Sequence, residues 1–211
     1  MPLLEITGIE NSTIGTWLMT ESCEEMQMMI ALTDSDQKEF EKFTSPRRRK
    51  EFLAVRLLLA AMMGQPGEII HAPSGRPSLK DHPGHISISH SRDIAAIIRS
   101  DFPAGIDVEE TGRNMTDIAR RFLSEEEMFW IMKSRDPQLA RTLCWSAKEA
   151  VFKMAGIPHL DFKNEVSIGE VQPVGNGKTH AVVDRNGVCT GFDLNFFLTE
   201  NNVVTWCVNP W

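Results

Sequence analysis

The chain has no tyrosine among its 211 residues and only four cysteines. No site in it can therefore use a phenolic hydroxyl. The cysteines are far apart and form no CxxC pair, which is typical of reduced thiols in a cytosolic protein rather than of a disulfide framework. They are Cys23, Cys144, Cys189 and Cys207.

Long apolar runs and an excess of positive charge are also missing. No stretch reaches the ~20 apolar residues of a membrane-spanning helix, and residues 1–8 lack the basic start and apolar run of a signal peptide. The net charge of -7 argues against a general nucleic-acid binder, because a phosphate backbone requires a basic face. We therefore expect a soluble cytoplasmic protein that binds neither membranes nor nucleic acid.

Helix and strand signals are mixed along the chain. Cap residues predict a long helix from Ser45-Pro46 to Gly64 and another from Pro137 to Gly156. Antiparallel strand patterns follow each group of helices, and this order suggests two similar halves. Asn176-Gly177 and Asn186-Gly187 both predict hairpin turns.

Residues 105–110, with the sequence GIDVEE, have the pattern of a strand. Alternate residues of a strand share a face, so Asp107 and Glu109 point together while Ile106 and Val108 face the core. Two carboxylates on one face repel each other unless a cation lies between them, and Mg²⁺ prefers oxygen ligands. Taken alone, so short a motif is more typical of a solvated strand face than of a magnesium site.

The segment WSAKEAVFK, residues 145–153, carries a second group of polar side chains. On a helix, Trp145, Glu149 and Lys153 lie at positions i, i+4 and i+8 and form one stripe. The stripe is either an exposed Glu-Lys pair worth about 0.3–0.5 kcal/mol, or a functional group. In the second case, Glu149 completes the carboxylate cluster and Lys153 faces a phosphate.

A third polar segment, HISISHS, begins at His85. Its serines at 87, 89 and 91 line one face of a strand, and hydroxyl and imidazole groups are useful phosphate donors. A polar strand end is the plain alternative. Zinc is a further alternative, although no cysteine or carboxylate completes a common spacing with the three nearby histidines. These are His82, His85 and His90.

Four basic residues, numbers 47–50, stand at the start of the first long helix. Positive charges there oppose the helix dipole, so a bound phosphate, plain solvation or Glu51 has to compensate them. Arg56, on the same helix as Arg49, is a further candidate anion ligand.

Read in order, the segments SGRPSL, ISISHS, AGIDVEE, RFLSEEE and WSAKEAVFKM resemble the surfactin-synthetase-type (Sfp-type) 4'-phosphopantetheinyl transferases. The specific part is the pair GIDVE and WxxKEAxxK, roughly 40 residues apart, since each motif alone is weak. The resemblance implies an α+β fold, a pseudo-twofold pair of similar halves, each with an antiparallel sheet packed on a long helix. Residues 1–103 and 104–211 are the expected halves, with coenzyme A in the cleft between them.

The resemblance also implies roles for individual residues. Asp107, Glu109 and Glu149 are the expected Mg²⁺ ligands, while Asp107, Glu149 and Lys153 are the expected catalytic residues. Glu127 stands where the family has an acid, without a defined role. The expected coenzyme A contacts are Arg49, Arg56, Arg76, Ser89, His90 and Lys153.

In the reaction that the resemblance implies, a serine of an acyl or peptidyl carrier protein attacks the β-phosphate of coenzyme A, and 3',5'-ADP leaves. Mg²⁺ and Lys153 stabilise the developing charge. Glu149 is the expected base, either directly or through a metal-bound water. We expect a monomer, because one chain supplies both halves of the cleft.

Two rival functions stay open at this point. One is a non-catalytic module that binds coenzyme A or a carrier protein, and the other is a phosphatase or nucleotide hydrolase that uses the same metal site. A serine hydrolase is not supported, because the sequence has no GxSxG motif.

Overall fold

The computed structural model describes residues 4–9 and 11–209. The chain forms two compact units, of which the first ends at Asp101 and the second begins at Phe102. Helices and antiparallel strands occur in both units, so the fold is α+β as predicted. The pseudo-twofold relation between the halves stays a prediction.

The first unit contains a four-stranded antiparallel sheet and one long helix. Its elements are β1 (Leu4–Ile9), β2 (Ser12–Leu18), α1 (Cys23–Met29), α2 (Asp34–Phe40), α3 (Pro46–Met63), β3 (Ile69–His71), β4 (Pro77–Leu79), β5 (His85–His90) and β6 (Ile94–Ser100). The strand order is β1-β2-β6-β5, and β3 pairs separately with β4.

The long helix α3 begins and ends where the cap residues predict. The Ser45 hydroxyl accepts a hydrogen bond from the Arg48 amide, Pro46 occupies the first turn, and Gly64 ends the helix with a φ of 72°. The buried side of α3 packs on β2 and β6 and includes Leu53 and Leu58. This contact forms the hydrophobic core of the first unit.

The second unit contains a five-stranded antiparallel sheet and the other long helix. Its elements are β7 (Ala104–Glu110), α4 (Thr116–Phe122), α5 (Glu125–Lys133), α6 (Pro137–Ala155), β8 (Val166–Ile168), β9 (Asn176–Arg185), β10 (Val188–Leu198) and β11 (Asn202–Val208). The strand order is β7-β11-β10-β9-β8.

Helix α6 lies along β7 and β11 and forms the core of the second unit with them. The Asp136 carboxylate caps its start by accepting from the amides of Gln138 and Leu139, and Gly156 ends it with a φ of 62°. Leu143 and Val151 are among the side chains that α6 buries. Residues 145–153 of α6 therefore lie beside β7, the strand that contains Asp107 and Glu109.

One of the two predicted hairpin turns is confirmed. Asn186 and Gly187, with φ values of 55° and 80°, connect β9 to β10, as the turn chemistry predicts. The prediction for Asn176-Gly177 is wrong, since both residues belong to the start of β9. The ring of Phe196 occupies the space where a side chain of residue 177 would lie, so the glycine there serves packing rather than turning.

Two expectations drawn from composition can be compared with the structure. All four cysteines are free thiols. Across residues 4–9 and 11–209, none of the helices has both the length and the apolar character that crossing a membrane requires.

Candidate functional site

Strand β7 presents Asp107 and Glu109 to helix α6. The residues opposite Gly105 and Glu109 on β11 are Cys207 and Val203, and both belong to the core beneath α6. Asp107 lies between Gly105 and Glu109 on the same face of β7 and is 5% exposed. The predicted sharing of a face by the two acids therefore agrees with the pairing of the strands.

Ile106 and Val108 are buried core residues, as the alternation of the strand predicts. They lie on the face of β7 opposite Asp107 and Glu109, and the core cluster of described residues beneath α6 does not include them. Gly105 has to lie on the helix side of β7. Because side chains alternate along a strand, Ile106 and Val108 therefore lie on the other side.

Gly105 lets α6 approach the strand closely. A side-chain carbon at this position would collide with the carbonyl oxygen of Ala150 and with the backbone nitrogen of Met154. The helix backbone therefore lies directly against the strand backbone, as only glycine permits. This contact places the last turns of α6 beside Asp107.

Lys153 of α6 binds the strand directly. Its Nζ lies 2.7 Å from Oδ1 of Asp107 and 3.1 Å from the carbonyl oxygen of Ile106. The ion pair is largely buried, with 7% of the Asp107 side chain and 27% of the Lys153 side chain exposed. Two of the predicted catalytic residues therefore meet in the structure.

Two donors hold the Glu109 carboxylate. Nε1 of Trp145 donates to Oε1 at 2.7 Å, and a guanidinium nitrogen of Arg113 donates to Oε2 at 2.7 Å. Trp145 belongs to the predicted stripe on α6, whereas Arg113 was not identified from the sequence. It lies in the loop after β7, and loop residues give no periodic signal.

Glu149 is electrostatically coupled to the strand acids. Burial, reinforced by the Asp107 carboxylate, raises the pKa of Glu149 to about 7, although the Lys153 ammonium acts against this shift. Burial and the Asp107 charge also raise the pKa of Glu109, against the opposing effect of Arg113. The three carboxylates thus share one poorly solvated region, in which like charges disfavour ionisation.

The donor set is chemically suited to a hard divalent cation. It consists of the carboxylate oxygens of Asp107, Glu109 and Glu149, and Mg²⁺ prefers oxygen ligands of this kind. Nevertheless, no group of three His, Cys, Asp or Glu side chains within the described ranges converges closely enough to hold a metal as placed. Asp107 and Glu109 are instead neutralised by Lys153 and Arg113.

A pocket of about 650 Å³ opens beside Glu149. Four of its ten lining residues are Phe or Trp: the ring centroids of Phe122 and Phe162 lie 4.9 and 5.6 Å from that of Trp145, and Phe152 lies 5.9 Å from Phe162. Arg121 and His159 also line the pocket. Glu149 therefore adjoins a space that can hold an apolar group.

The basic start of α3 is compensated within the first unit. Glu51, which is buried, lies 2.7 Å from Arg47 and 3.3 Å from Arg48, and its carboxylate is 3.5 Å from Nδ1 of His90. Arg49 donates to the carbonyl oxygen of Phe43 at 2.8 Å. Glu51 is therefore one of the compensations predicted from the sequence, and the side chains of Arg47 and Arg48 are also solvated, at 63% and 61% exposed.

Arg56 has a structural role in the core of the first unit. It is buried, its Nε lies 2.9 Å from Asp36, and its guanidinium stacks 3.8 Å from the ring centre of Phe52. Glu39 lies 3.5 Å away. A guanidinium held on the buried side of α3 offers little surface to an incoming anion, and the expected contact of Arg56 with coenzyme A stays a prediction.

The remaining residues expected to contact coenzyme A lie in or next to the strands of the first unit. Ser89 is buried and His90 half-buried at the end of β5. Arg76 is half-buried in the turn before β4, close enough to His85 for its charge to add to burial in lowering the pKa of that imidazole. The described histidines join no metal-binding group, which leaves the zinc alternative without support.

The Glu127 carboxylate belongs to a buried hydrogen-bond network. Its carboxylate accepts from the amides of Ser124 and Ile168, both at 2.8 Å, and from Nζ of Lys148 at 2.7 Å. Lys148 is fully buried and was not identified from the sequence as a site residue. The adjacent Lys-Glu dipeptide at 148–149 could have indicated it, because its two members lie on different sides of α6.

The comparison with protein families gives one match. Residues 103–180 match the model of the 4'-phosphopantetheinyl transferase superfamily. This segment is a domain of the 4'-phosphopantetheinyl transferase superfamily. It contains Asp107, Glu109, Glu149 and Lys153, and the resemblance stated from the motifs is confirmed at the level of the superfamily.

Individual relatives agree with this assignment to the superfamily. The chain is 30% identical over 109 residues to 4'-phosphopantetheinyl transferase gsp of Aneurinibacillus migulanus, a match that covers 49% of this chain and 46% of the relative. It is 35% identical over 85 residues to 4'-phosphopantetheinyl transferase Sfp of Bacillus subtilis (strain 168), covering 39% of this chain and 38% of the relative.

A third relative is a much longer protein. The chain is 28% identical over 132 residues to the fatty acid synthase subunit alpha of Candida parapsilosis (strain CDC 317), which covers 61% of this chain and 7% of that subunit. The chain thus spans half or less of the length of the curated relatives that it matches.

Proposed function

We propose that the protein transfers the 4'-phosphopantetheine group of coenzyme A to a serine of an apo carrier protein and releases 3',5'-ADP. It acts as a holo-[acyl-carrier-protein] synthase, or 4'-phosphopantetheinyl transferase, of the surfactin-synthetase type. The observation that carries this proposal is the meeting of Asp107 with Lys153 and the coupling of Asp107 to Glu149. Both occur inside the segment that matches the superfamily.

In this proposal Asp107, Glu109 and Glu149 would hold Mg²⁺, which would supply positive charge to the pyrophosphate of coenzyme A. Their oxygen-only donor set supports this role. Arg113, which neutralises Glu109 in the structure, is then available to face the phosphates, while Lys153 stays paired with Asp107.

Lys153 stabilises the charge that develops during transfer. The bond from the β-phosphorus to the oxygen bridging it to the α-phosphate breaks, and the electron pair leaves with 3',5'-ADP. An ammonium held at Asp107 by a 2.7 Å ion pair is fixed before the reaction begins, so it needs no reorganisation as the charge appears.

Glu149 accepts the proton of the carrier serine as its Oγ forms the new bond to phosphorus. The catalytic efficiency of a general base is greatest when its pKa lies near the working pH. In the metal-free protein, burial raises the pKa of Glu149 to about 7, and a cation bound beside this carboxylate would lower that pKa. Glu149 therefore acts as the base either directly or through a metal-bound water. The same residue lines the pocket beside Trp145, so that pocket accepts the pantetheine arm next to the reacting phosphate.

Coenzyme A also contacts residues of the first unit in this proposal. Arg49, Arg56, Arg76, Ser89 and His90 keep the roles that the resemblance implies, although Arg56 is buried against Asp36. The acceptor is an acyl or peptidyl carrier protein. Similarity to a fatty acid synthase subunit favours including a carrier of fatty-acid synthesis among the acceptors tested.

The test mixes the purified protein with coenzyme A, Mg²⁺ and a panel of apo carrier proteins, and follows each carrier by mass spectrometry. We expect one or more carriers to gain the mass of a phosphopantetheine group, with equimolar release of 3',5'-ADP. The Glu149→Gln variant should lose about 10²–10⁴-fold in rate while keeping its circular dichroism spectrum.

The outcomes separate this proposal from its rivals. Binding of coenzyme A or carrier without any mass gain across the panel would favour a non-catalytic module. Release of nucleotide or phosphate in the absence of a carrier would favour a hydrolase. A fully active Glu149→Gln enzyme would remove that residue from the mechanism.

A further inference from the structure

Lys148 lies at the centre of a buried network in the second unit. None of its side chain is exposed, and its Nζ lies within 2.8 Å of four oxygen atoms. These are Oε2 of Glu127 at 2.7 Å and the carbonyl oxygens of Phe122 at 2.8 Å, Phe162 at 2.6 Å and Val166 at 2.7 Å. One ammonium therefore joins α6 to the end of α4, the start of α5 and the chain leading into β8.

Glu127 completes this network. It is the third residue of α5 and accepts from the Ser124 amide as part of a capping box. Its other oxygen accepts from the Ile168 amide in β8. A buried ion pair persists only when its remaining polar atoms are also bonded, and here both partners have additional bonds.

Two of the residues held by Lys148 also touch Trp145. The Phe122 ring meets the Trp145 ring edge-on at 4.9 Å, and the Phe162 ring lies at 5.6 Å. Trp145 in turn donates its indole N–H to Glu109. A chain of contacts thus runs from Lys148, through two aromatic residues, to the indole that orients a carboxylate of the candidate site.

We propose that Lys148 is a positioning residue for the carboxylate site. It fixes the backbones of Phe122 and Phe162, whose rings fix Trp145, and Trp145 fixes Glu109. Lys148 itself touches neither coenzyme A nor the carrier. The inference rests on the proposed function in so far as Glu109 is taken there as a ligand of a divalent cation.

The test replaces both buried ions together, as Glu127→Leu with Lys148→Met, so that no charge is left unpaired. In the ¹H–¹⁵N spectrum, the Trp145 indole signal is identified as the one missing from Trp145→Phe. We expect this signal to shift and to lose protection against hydrogen exchange in the double variant. The Trp17 indole, in the first unit, serves as the internal reference.

The second readout is the affinity for Mn²⁺, used as the probe and measured by electron paramagnetic resonance. Loss of a group that orients a metal ligand typically lowers affinity by about 10–100-fold, and we expect a fall in this range. Adding Trp145→Phe to the double variant should lower the affinity no further, because both changes act through the same hydrogen bond.

Phe196→Leu, in the core of the same unit, controls for general destabilisation and should leave both readouts unchanged. An unchanged Trp145 indole together with unchanged Mn²⁺ affinity in the double variant overturns the inference. If the double variant does not fold, Phe162→Leu replaces it. This variant should shift the Trp145 indole signal and lower the Mn²⁺ affinity. If Phe162→Leu changes neither readout, the inference is also overturned.

The two proposals fail in different ways. A wild-type protein that binds no Mn²⁺ would count against the proposed metal site, while the indole measurement would still decide whether Lys148 positions Trp145. Normal Mn²⁺ binding that is insensitive to the network would count against the role of Lys148 alone.

Discussion

Trp145 and Glu109 are joined by a 2.7 Å hydrogen bond from the indole nitrogen to the carboxylate, which links helix α6 to strand β7. The two residues are 36 positions apart in the chain. This bond and the Lys153–Asp107 ion pair align the two motifs of the superfamily segment. Together they show how the helix and strand form one polar site above a shared core.

We predict that Arg113→Gln tightens the binding of Mn²⁺. The guanidinium lies 2.7 Å from Glu109, so its loss leaves more negative charge for a cation. Because a partly exposed ion pair is worth about 0.2–1 kcal/mol, the affinity should rise by up to about fivefold. Arg185→Gln, which breaks the ion pair with Glu165 in the same unit, is the matched control. Weaker binding by Arg113→Gln would show that Arg113 does not compete with the cation.

The raised pKa of Glu149 predicts a pH-dependent stability. Burial and Asp107 raise this pKa from 4.5 to about 7. Between these values the folded protein keeps a proton that the unfolded chain has released. The free energy of unfolding of the metal-free protein therefore falls as pH rises through this window.

Glu149→Gln lacks this titration and supplies the comparison. In urea unfolding with a chelator, the free energy of unfolding of the wild type minus that of the variant should decrease from about pH 5 to about pH 8. A difference that is constant or increases with pH would mean that the folded-state pKa of Glu149 is not raised. Mn²⁺ affinity of the wild type should rise over the same range, because a metal binds the ionised carboxylate.

Gly105→Ala should destabilise the second unit. The new methyl group would overlap the backbone of α6 at Ala150 and Met154, and overpacking of this kind costs roughly 1–3 kcal/mol. Gly112→Ala is the matched control, since a side chain there meets nothing within 4 Å. Urea unfolding measures both variants, and equal stabilities would show that α6 does not need the close approach at Gly105.

Arg56→Met should destabilise the protein strongly. Loss of the Arg56 guanidinium leaves Asp36 buried without its ion-pair partner, and breaking a buried pair costs about 3–5 kcal/mol. Arg48→Met, on the same helix, removes a residue whose side chain is 61% exposed, so its effect should be about 0–1 kcal/mol. If Arg56→Met instead kept full stability and raised the KM for coenzyme A, the role implied by the resemblance would be supported.

Much of the fold could be predicted from local signals. Cap residues set the limits of α3 and α6, and Asn186-Gly187 formed the expected turn. Asn176-Gly177 has the same local chemistry, but Phe196 packs against Gly177 within the sheet. Turn propensity reports on the local backbone, whereas a ring from a neighbouring strand is a long-range contact that a short motif does not contain.

The candidate site divides in the same way. Motif spacing singled out Asp107, Glu109, Glu149 and Lys153, and the structure brings Lys153 to Asp107. Spacing did not distinguish Arg56, which is buried against Asp36, from the exposed arginines before it. Both kinds of arginine lie on one helix, and burial depends on which elements pack against each side.

The sequence by itself determined the match of residues 103–180 to the superfamily, the limits of α3 and α6, and the four charged residues of the two motifs, because these depend on residue type and local spacing. Only the tertiary structure decided that Gly105 lets α6 lie against β7, that Arg113 and Trp145 hold Glu109, and that Lys148 is buried on Glu127. These are contacts between segments distant in the chain, and their energies depend on exclusion of water, which follows from packing rather than from residue order.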